Sequence, residues 1–99
     1  MKSLFFVLLT ALLFSASPAM AADAAAGKAK SATCMACHGP TGVSINPMWP
    51  NLAGQQEQYL AKQIMAFRDG TRKDPMMSPM AAGLSDDDIA NLAAFYASQ

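Results

Sequence analysis

Residues 34–38 read Cys-Met-Ala-Cys-His, and this stretch decides how the rest of the chain is interpreted. Cys34 and Cys37 stand three positions apart, and His38, the single histidine of the chain, follows directly. The C-x-x-C-H pattern is the signature of covalent haem attachment. Its spacing lets two thiols add to two vinyl groups on one side of a porphyrin while the next residue turns its imidazole under the iron. We therefore expect one covalent haem c per chain, with His38 as an iron ligand.

Two other uses of this pattern fit the sequence less well. A redox-active dithiol of the thioredoxin type expects C-x-x-C after a strand in a βαβ unit, and no strand-like alternation occurs nearby. A structural zinc site needs four ligands, whereas the whole chain offers two Cys and one His. The haem interpretation is therefore favoured over both.

The first 21 residues have the order of a secretory signal peptide. Lys2 precedes an uncharged run from Leu4 to Phe14, and small residues follow up to Ala21. The run is 11 residues long, whereas a helix needs about 20 to cross a bilayer, so an uncleaved anchor is the weaker interpretation. We expect cleavage after Ala21, export to the periplasm, and no membrane span in a mature single domain of residues 22–99.

The mature segment is small and nearly neutral. Its 78 residues carry six Lys and Arg and seven Asp and Glu, a net charge of −1. No basic patch is evident, so we expect no nucleic-acid partner. A core of this size supplies about 3–5 kcal/mol by itself, so such domains usually need a disulfide, a metal or another staple. A large apolar cofactor would meet that need.

The periodicity predicts an all-α fold with three main helices. Asp23 can cap a first helix that runs toward the C-x-x-C-H stretch. This segment is mostly Ala and Lys, so it needs to pack against another element of the chain to be stable. A second helix is predicted over residues 56–69, with Gly70 as its stop. Its apolar residues recur at i, i+4 and i+7: Leu60, Ile64 and Phe67.

The last helix has the strongest local signal. Ser85 is a good N-cap, Asp88 stands three residues further on, and the acidic run from Asp86 complements the positive helix end. Leu84 and Ile89 have the positions of a hydrophobic staple. The apolar face that follows is formed by Ile89, Leu92, Ala93 and Tyr96. This face must pack against another part of the protein.

Two long loops, residues 39–54 and 70–83, separate the helices, and both are rich in Pro and Gly. Loops of this length in a small domain are usually functional or disordered. Both contain apolar side chains that a solvated linker would not need: Ile45, Met48, Trp49 and Leu52 in the first, and Met76, Met77 and Met80 in the second. We expect the two loops to close over an apolar group from two sides.

Taken together, these features resemble the class I cytochromes c over essentially all of residues 22–99. The family pattern has an amino-terminal helix ending in C-x-x-C-H, a G-P-N-L-x-G-like segment, a middle helix, a methionine loop and a carboxy-terminal helix. Residues 49–54, Trp-Pro-Asn-Leu-Ala-Gly, resemble the loop segment. Three runs are especially similar to one half of the two-domain bacterial cytochrome c4 type: residues 50–55, 59–63 and 84–86. The resemblance implies the class I fold around one covalent haem.

The resemblance also implies roles for residues of the first loop. Pro50 stands twelve residues after His38, and its carbonyl would accept a hydrogen bond from the His38 ring. Leu52 would pack on the porphyrin. Trp49 could pack on a haem edge or donate to a propionate, although a plain half-buried aromatic is the more common outcome. We expect Trp49 and Tyr59 in the wall of the haem pocket.

A helix crossing is implied as well. Gly27 resembles the family's small residue where the first and last helices cross, so it would face Phe95 or Tyr96. It stands one residue nearer the first cysteine than in many members of the family. The contact on the last helix therefore stays open between these two aromatic residues.

Three methionines of the second loop compete to be the sixth iron ligand. Methionines are more often gap fillers than ligands, but this loop offers neither His nor Tyr, and an uncapped iron would leave an open pocket. In the similar family the ligand lies seven residues before the Leu-Ser-Asp that opens the last helix. This implies Met77, with Met80 as the alternative and Met76 after it.

Two axial protein ligands leave no iron position for oxygen or substrate, so we expect a one-electron carrier rather than an enzyme. Thioether ligation raises the haem potential. Expected partners are a quinol-cytochrome c reductase, a terminal oxidase or a periplasmic dehydrogenase. The rival hypotheses are an electron-accepting subunit of a periplasmic dehydrogenase complex, and a haem enzyme or gas sensor in which Met77 leaves the iron. Four cations are candidates for a docking rim, although scattered surface charge is the default: Lys62, Arg68, Arg72 and Lys73.

Overall fold

Residues 21–99, the part of the chain that the computed structural model describes, contain five helices and no strand. The elements are α1 (Ala24–Lys30), a 3-10 turn (Ser31–Thr33), α2 (Met35–His38), α3 (Glu57–Asp69), α4 (Met77–Ala81) and α5 (Asp86–Ala97). Helices α1, α3 and α5 are the three predicted main helices, so the predicted all-α fold is confirmed. The predicted signal peptide lies outside the described residues apart from Ala21.

The predicted helix starts are confirmed by their caps. Asp23 Oδ1 accepts hydrogen bonds from the backbone N–H groups of Ala25 and Ala26 at 2.9 and 3.2 Å. At α5, Asp88 N donates to Ser85 Oγ at 3.0 Å and Ser85 N donates to Asp88 Oδ2 at 3.1 Å. This reciprocal pair is a capping box. Both helices therefore begin where the side-chain pattern predicts.

Helices α1 and α5 cross at Gly27, which is buried. A Cβ at this position would collide with the backbone oxygen of Asn91 and would lie 2.9 Å from Phe95 Cβ. Nearby, Asp23 N donates to Asn91 Oδ1 at 2.8 Å. Of the two aromatic residues expected here, Phe95 is the one that Gly27 meets. The close crossing provides the partner that the weak apolar stripe of α1 requires.

The crossing predicts that Gly27→Ala destabilises the protein. Alanine improves helix propensity by about 1 kcal/mol, but its methyl group would force the two backbones apart. We expect a net loss of about 1–3 kcal/mol in the free energy of unfolding, measured by denaturant titration. Gly83→Ala is the matched control, because a Cβ at Gly83 has no atom within 4 Å. Equal denaturation midpoints for both variants and the natural chain would contradict the crossing.

The face predicted for α5 forms the centre of the core. Ile89, Leu92, Ala93 and Tyr96 are each at most 1% exposed. Leu60 of α3 packs in one cluster with residues of α5. The rest of the predicted α3 face, Ile64 and Phe67, is only half-buried and borders a cavity. The apolar side of α3 is therefore divided between the core and that cavity.

The second predicted loop contains a helix, α4, and this corrects the prediction of an irregular segment over residues 70–83. Asp74 Oδ1 accepts from Met76 N and Met77 N, both at 2.9 Å, while Asp74 O accepts from Ser78 N at 3.0 Å. Ser78 Oγ accepts in return from Asp74 N at 3.0 Å. Pro75 follows directly and lies just before the helix, whose N-cap residue is Met76, so its missing N–H is not needed by the helix. An Asp-Pro pair is thus the local signal for this helix start.

The first loop folds back onto the end of α5. Gly42 O accepts from Leu52 N at 2.7 Å and from Ala53 N at 3.0 Å. Gly54 N donates to Tyr96 O at 3.0 Å. These contacts hold the segment before Gly54 beside the helices, and they bring Pro50 next to α2.

Candidate haem site

The C-x-x-C-H stretch forms the short helix α2 and its start. Cys34 is the residue before the helix, and Cys37 and His38 occupy its end. Both cysteines are half-buried free thiols, whereas His38 is only 6% exposed. His38 N donates to Cys34 O at 2.9 Å, which is a helical hydrogen bond. One helical turn therefore presents two sulfur atoms and one imidazole in a single place.

The imidazole of His38 is fixed by the first loop. His38 Nδ1 lies 2.8 Å from the carbonyl oxygen of Pro50, as the resemblance implied. A carbonyl only accepts hydrogen bonds, so Nδ1 carries the proton. The lone pair of Nε2 is then available to a metal. A metal-binding histidine typically donates its other N–H to such a fixed acceptor.

A cavity of about 830 Å³ opens beside α2. Its size lies within the roughly 300–1,000 Å³ that is usual for cofactor sites. All the site residues predicted from the sequence line it: Cys34, Cys37, His38, Trp49, Pro50, Leu52, Tyr59, Met76, Met77 and Met80. Apolar side chains of α3 and α5 complete much of the wall. The structure thus brings together residues that are up to 46 positions apart in the sequence.

The three methionines of the second loop differ in exposure. Met76 and Met80 are 54% and 47% exposed, whereas Met77 is half-buried and is the first residue of α4. The Asp74 carboxylate accepts from the N–H groups of Met77 and Met76, and these two hydrogen bonds lower the pKa of Asp74 below its ordinary value of 3.8. The Asp74 cap therefore fixes the backbone from which Met77 reaches the cavity.

The cavity also contains a buried hydroxyl group. Tyr96 is 1% exposed and lines the cavity, and its hydroxyl makes no hydrogen bond to any of residues 21–99. Burial, and then the neighbouring Cys34 thiol, raise the pKa of Tyr96. The thiols, the imidazole, the thioethers and the apolar walls are the donors and surroundings that a covalent haem requires, so the residues present fit this group.

One loop prediction is wrong. Ile45 was expected to face the apolar group, but its side chain is 98% exposed and does not line the cavity. The loop turns outward here because Asn51 Oδ1 accepts from Ser44 N at 2.7 Å and Ser44 Oγ accepts from Asn46 N at 3.1 Å. These polar contacts close the base of the turn and leave its tip in solvent.

The cavity wall includes polar side chains for which the sequence predicted no role. They are Thr33, Asn51, Gln55, Gln63 and Asp74. A sequence signal exists for Gln63, because it stands three residues after Leu60 and four before Phe67 and therefore shares their helix face. Among the four candidate docking cations, Arg72 lines the cavity.

No helix within residues 21–99 has both the length and the apolar character needed to cross a membrane.

Comparisons with known proteins agree on one family. The family model described as "Cytochrome c" matches residues 24–99. Cytochrome c-554(548) of Halomonas halodenitrificans is 55% identical over 82 residues, which cover 80% of this chain and 99% of that protein. The thiosulfate dehydrogenase electron acceptor of Stutzerimonas stutzeri is 46% identical over 67 residues, or 65% of this chain and 31% of that protein.

The fold is likewise similar to a solved structure. The reduced recombinant cytochrome c4 from Pseudomonas stutzeri matches with a TM-score of 0.76 and 43% identity, over 80% of this chain and 46% of that one. The chain therefore spans about half the length of the cytochromes c4 that it matches.

Proposed function

The chain belongs to the cytochrome c family, and on this premise we propose that it is a periplasmic one-electron carrier in which Cys34 and Cys37 hold the haem and His38 and Met77 ligate its iron. Like other members of the family it is an electron-transfer protein rather than an enzyme, and it carries covalent haem c. The spacing of the two cysteines fits one haem per chain.

One observation carries the proposal: a single cavity joins the two thiols, the oriented imidazole and the methionine loop. Met77 is favoured over Met76 and Met80 because its side chain is the least exposed of the three and its backbone is capped by Asp74. The family resemblance points independently to the same residue.

When bound, the haem supplies one iron centre that gains and loses a single electron. The chain's residues set how readily it does so. The Pro50 carbonyl orients the His38 ring and raises its basicity. A thioether ligand from Met77 favours the ferrous state, and the apolar walls disfavour the more highly charged oxidised form. The thioether ligand and the apolar walls therefore both raise the reduction potential.

Spectroscopy of the purified holoprotein tests this ligation. We expect a sulfur-to-iron charge-transfer band in the oxidised protein and no binding of carbon monoxide after reduction. Carbon monoxide binding to the natural chain at neutral pH would instead support the rival hypothesis of a haem enzyme or gas sensor, in which the methionine leaves the iron.

A second candidate function has a specific observation in its favour. One relative, 46% identical, is named as an electron acceptor of thiosulfate dehydrogenase. The chain could similarly serve as the electron-accepting subunit of a periplasmic dehydrogenase complex. Purification in a stable large complex would favour this function, whereas a free monohaem protein would favour a carrier between a quinol-cytochrome c reductase, a dehydrogenase and a terminal oxidase. The periplasmic location is supported by the predicted signal peptide, residues 1–21.

The Asp74 cap gives a prediction for the methionine ligand. Asp74→Ala removes the acceptor for Met76 N and Met77 N, so the loop should release the iron more easily. We expect the charge-transfer band to disappear on heating about 4–8 °C earlier, the shift that loss of one cap gives in a small domain. Asp74→Asn keeps an acceptor oxygen and should behave more like the natural chain.

Removing an exposed carboxylate elsewhere, as in Asp87→Ala, controls for net charge. An equal shift in Asp87→Ala and Asp74→Ala would contradict a specific cap.

The Asp74 carboxylate also makes the stability of this loop depend on pH. Because the pKa of Asp74 is lowered, its stabilisation is complete above the ordinary value of 3.8 and is lost as the pH falls through the lower pKa.

A further inference from the structure

Arg72 is exposed, but it makes three contacts at the edge of the haem cavity. Its Nη1 donates to Gln63 Oε1 at 2.8 Å, and its Cζ lies 4.5 Å from the centre of the Phe67 ring. Its backbone N–H donates to Ala66 O at 3.1 Å. Gln63 and Phe67 belong to α3 and line the same cavity. An arginine that is merely solvated would not need contacts with both a side-chain amide and an aromatic face.

Within residues 21–99, Arg72 is the one Lys or Arg that lines this cavity. Arg68 does not line the cavity and is engaged elsewhere. It donates to Asp69 Oδ1 at 2.8 Å and to Asp86 Oδ1 at 2.7 Å, so its charge is already paired. Lys73 borders a neighbouring, more open groove of about 490 Å³ instead. The cavity therefore has one cationic position.

A haem carries two propionate groups, and these carboxylates must be accommodated against largely apolar walls. Placing a carboxylate in such surroundings is unfavourable unless it is paired and hydrogen-bonded. Arginine suits this task, because its planar fork can donate two parallel hydrogen bonds to one carboxylate. Gln63 uses one of the five N–H donors of Arg72 and leaves the others free. Asp74, the other charged side chain in the wall, accepts from the N–H groups of Met76 and Met77. The charge of Arg72 also lowers the pKa of Asp74, but the two side chains form no salt bridge.

We propose that Arg72 binds a propionate of the haem, and that Gln63 and Phe67 hold its guanidinium in place for this contact. The proposal rests on the proposed function, since it requires a bound haem. It assigns Arg72 to cofactor binding instead of the docking of redox partners. It also gives Gln63 a role in positioning Arg72.

The test compares Arg72→Gln with Lys73→Gln, two neighbouring substitutions that remove the same charge. Midpoint potentials are measured by redox titration at pH 8, where ordinary carboxyl groups are ionised, in low and in high salt. Loss of a positive charge beside the haem stabilises the more positive oxidised form. We expect the equilibrium constant for reduction to fall about fivefold or more in Arg72→Gln.

Arg72 and Lys73 are both exposed, but Lys73 does not line the cavity, so Lys73→Gln should change this constant by less than about twofold, and high salt should abolish the change. The effect of Arg72→Gln should persist in high salt. Arg72→Lys keeps the charge but not the planar fork, and should give an intermediate value. Gln63→Leu should shift the potential in the same direction as Arg72→Gln but by less.

Intact mass of each sample distinguishes a failure of the proposed function from a failure of the Arg72 assignment. If the natural chain carries no haem, the proposed function fails. If the haem is attached but the potentials of Arg72→Gln and Lys73→Gln shift equally, the assignment of Arg72 is wrong and the proposed function stands. The same holds if the potential of Arg72→Gln shifts only in low salt. A variant that keeps the natural potential but reacts more slowly with a redox partner would likewise overturn it in favour of docking.

Discussion

A chain in which Cys34 and Cys37 are both replaced by alanine is expected to lack covalent haem and to be largely unfolded. The described residues bury seven apolar side chains almost completely, and two of these are alanines. A core of this size supplies about 3–5 kcal/mol at most. The cavity of about 830 Å³ would then be open to water along its apolar walls. The haem is thus expected to complete the core as well as to carry the electron.

Circular dichroism and thermal unfolding would measure this effect. We expect most of the helical signal and the cooperative transition to be lost in the double cysteine variant. Met35→Ala is a suitable control, because Met35 stands between the two cysteines but does not line the cavity. It should keep the haem and a cooperative transition. A haem-free double variant that melts cooperatively with native helical content would contradict the structural role of the haem.

Met77→Ala is expected to retain the covalent haem but to change its chemistry strongly. Loss of the thioether would remove the ligand that favours ferrous iron and would leave the iron accessible to external ligands. We expect the midpoint potential to fall on the order of 0.2 V, a fraction of the roughly 0.8 V range over which axial ligands set haem potentials. The reduced variant should also bind carbon monoxide, and the sulfur-to-iron band should be absent from the oxidised spectrum.

The neighbouring methionines supply the controls for this prediction. Met76→Ala and Met80→Ala remove more exposed side chains of the same cavity wall. Both variants should keep the charge-transfer band and a potential close to that of the natural chain. If Met80→Ala lost the band and Met77→Ala kept it, Met80 would be the ligand.

The main helices could be predicted because their ends are encoded locally. Asp23, Ser85 and Asp88 act through hydrogen bonds that span two or three residues, so the sequence pattern is sufficient to locate them. Helix α4 has a comparable signal in Asp74 and Pro75. The surrounding abundance of Pro and Gly favours a loop over the same residues, and the two signals therefore conflict. The structure shows that a short helix, α4, forms here.

The course of the first loop could not be predicted from apolar character alone. Ile45 is as apolar as Leu52, yet Ile45 is exposed and Leu52 lines the cavity. The difference arises from hydrogen bonds between distant residues, such as Leu52 N to Gly42 O, which follow no periodicity. The position of Arg72 against Phe67 likewise follows from no periodicity in the sequence. Motif spacing identified the chemistry of the site, whereas the arrangement of its polar edge required the three-dimensional structure.

Intact-mass spectrometry of the protein, produced in a host that matures cytochromes c, tests the central claim most directly. Permanent attachment at Cys34 and Cys37 predicts that the polypeptide from Ala22 to Gln99 carries the added mass of one haem, retained after denaturation. A denatured polypeptide with the mass of its amino acids alone would contradict it.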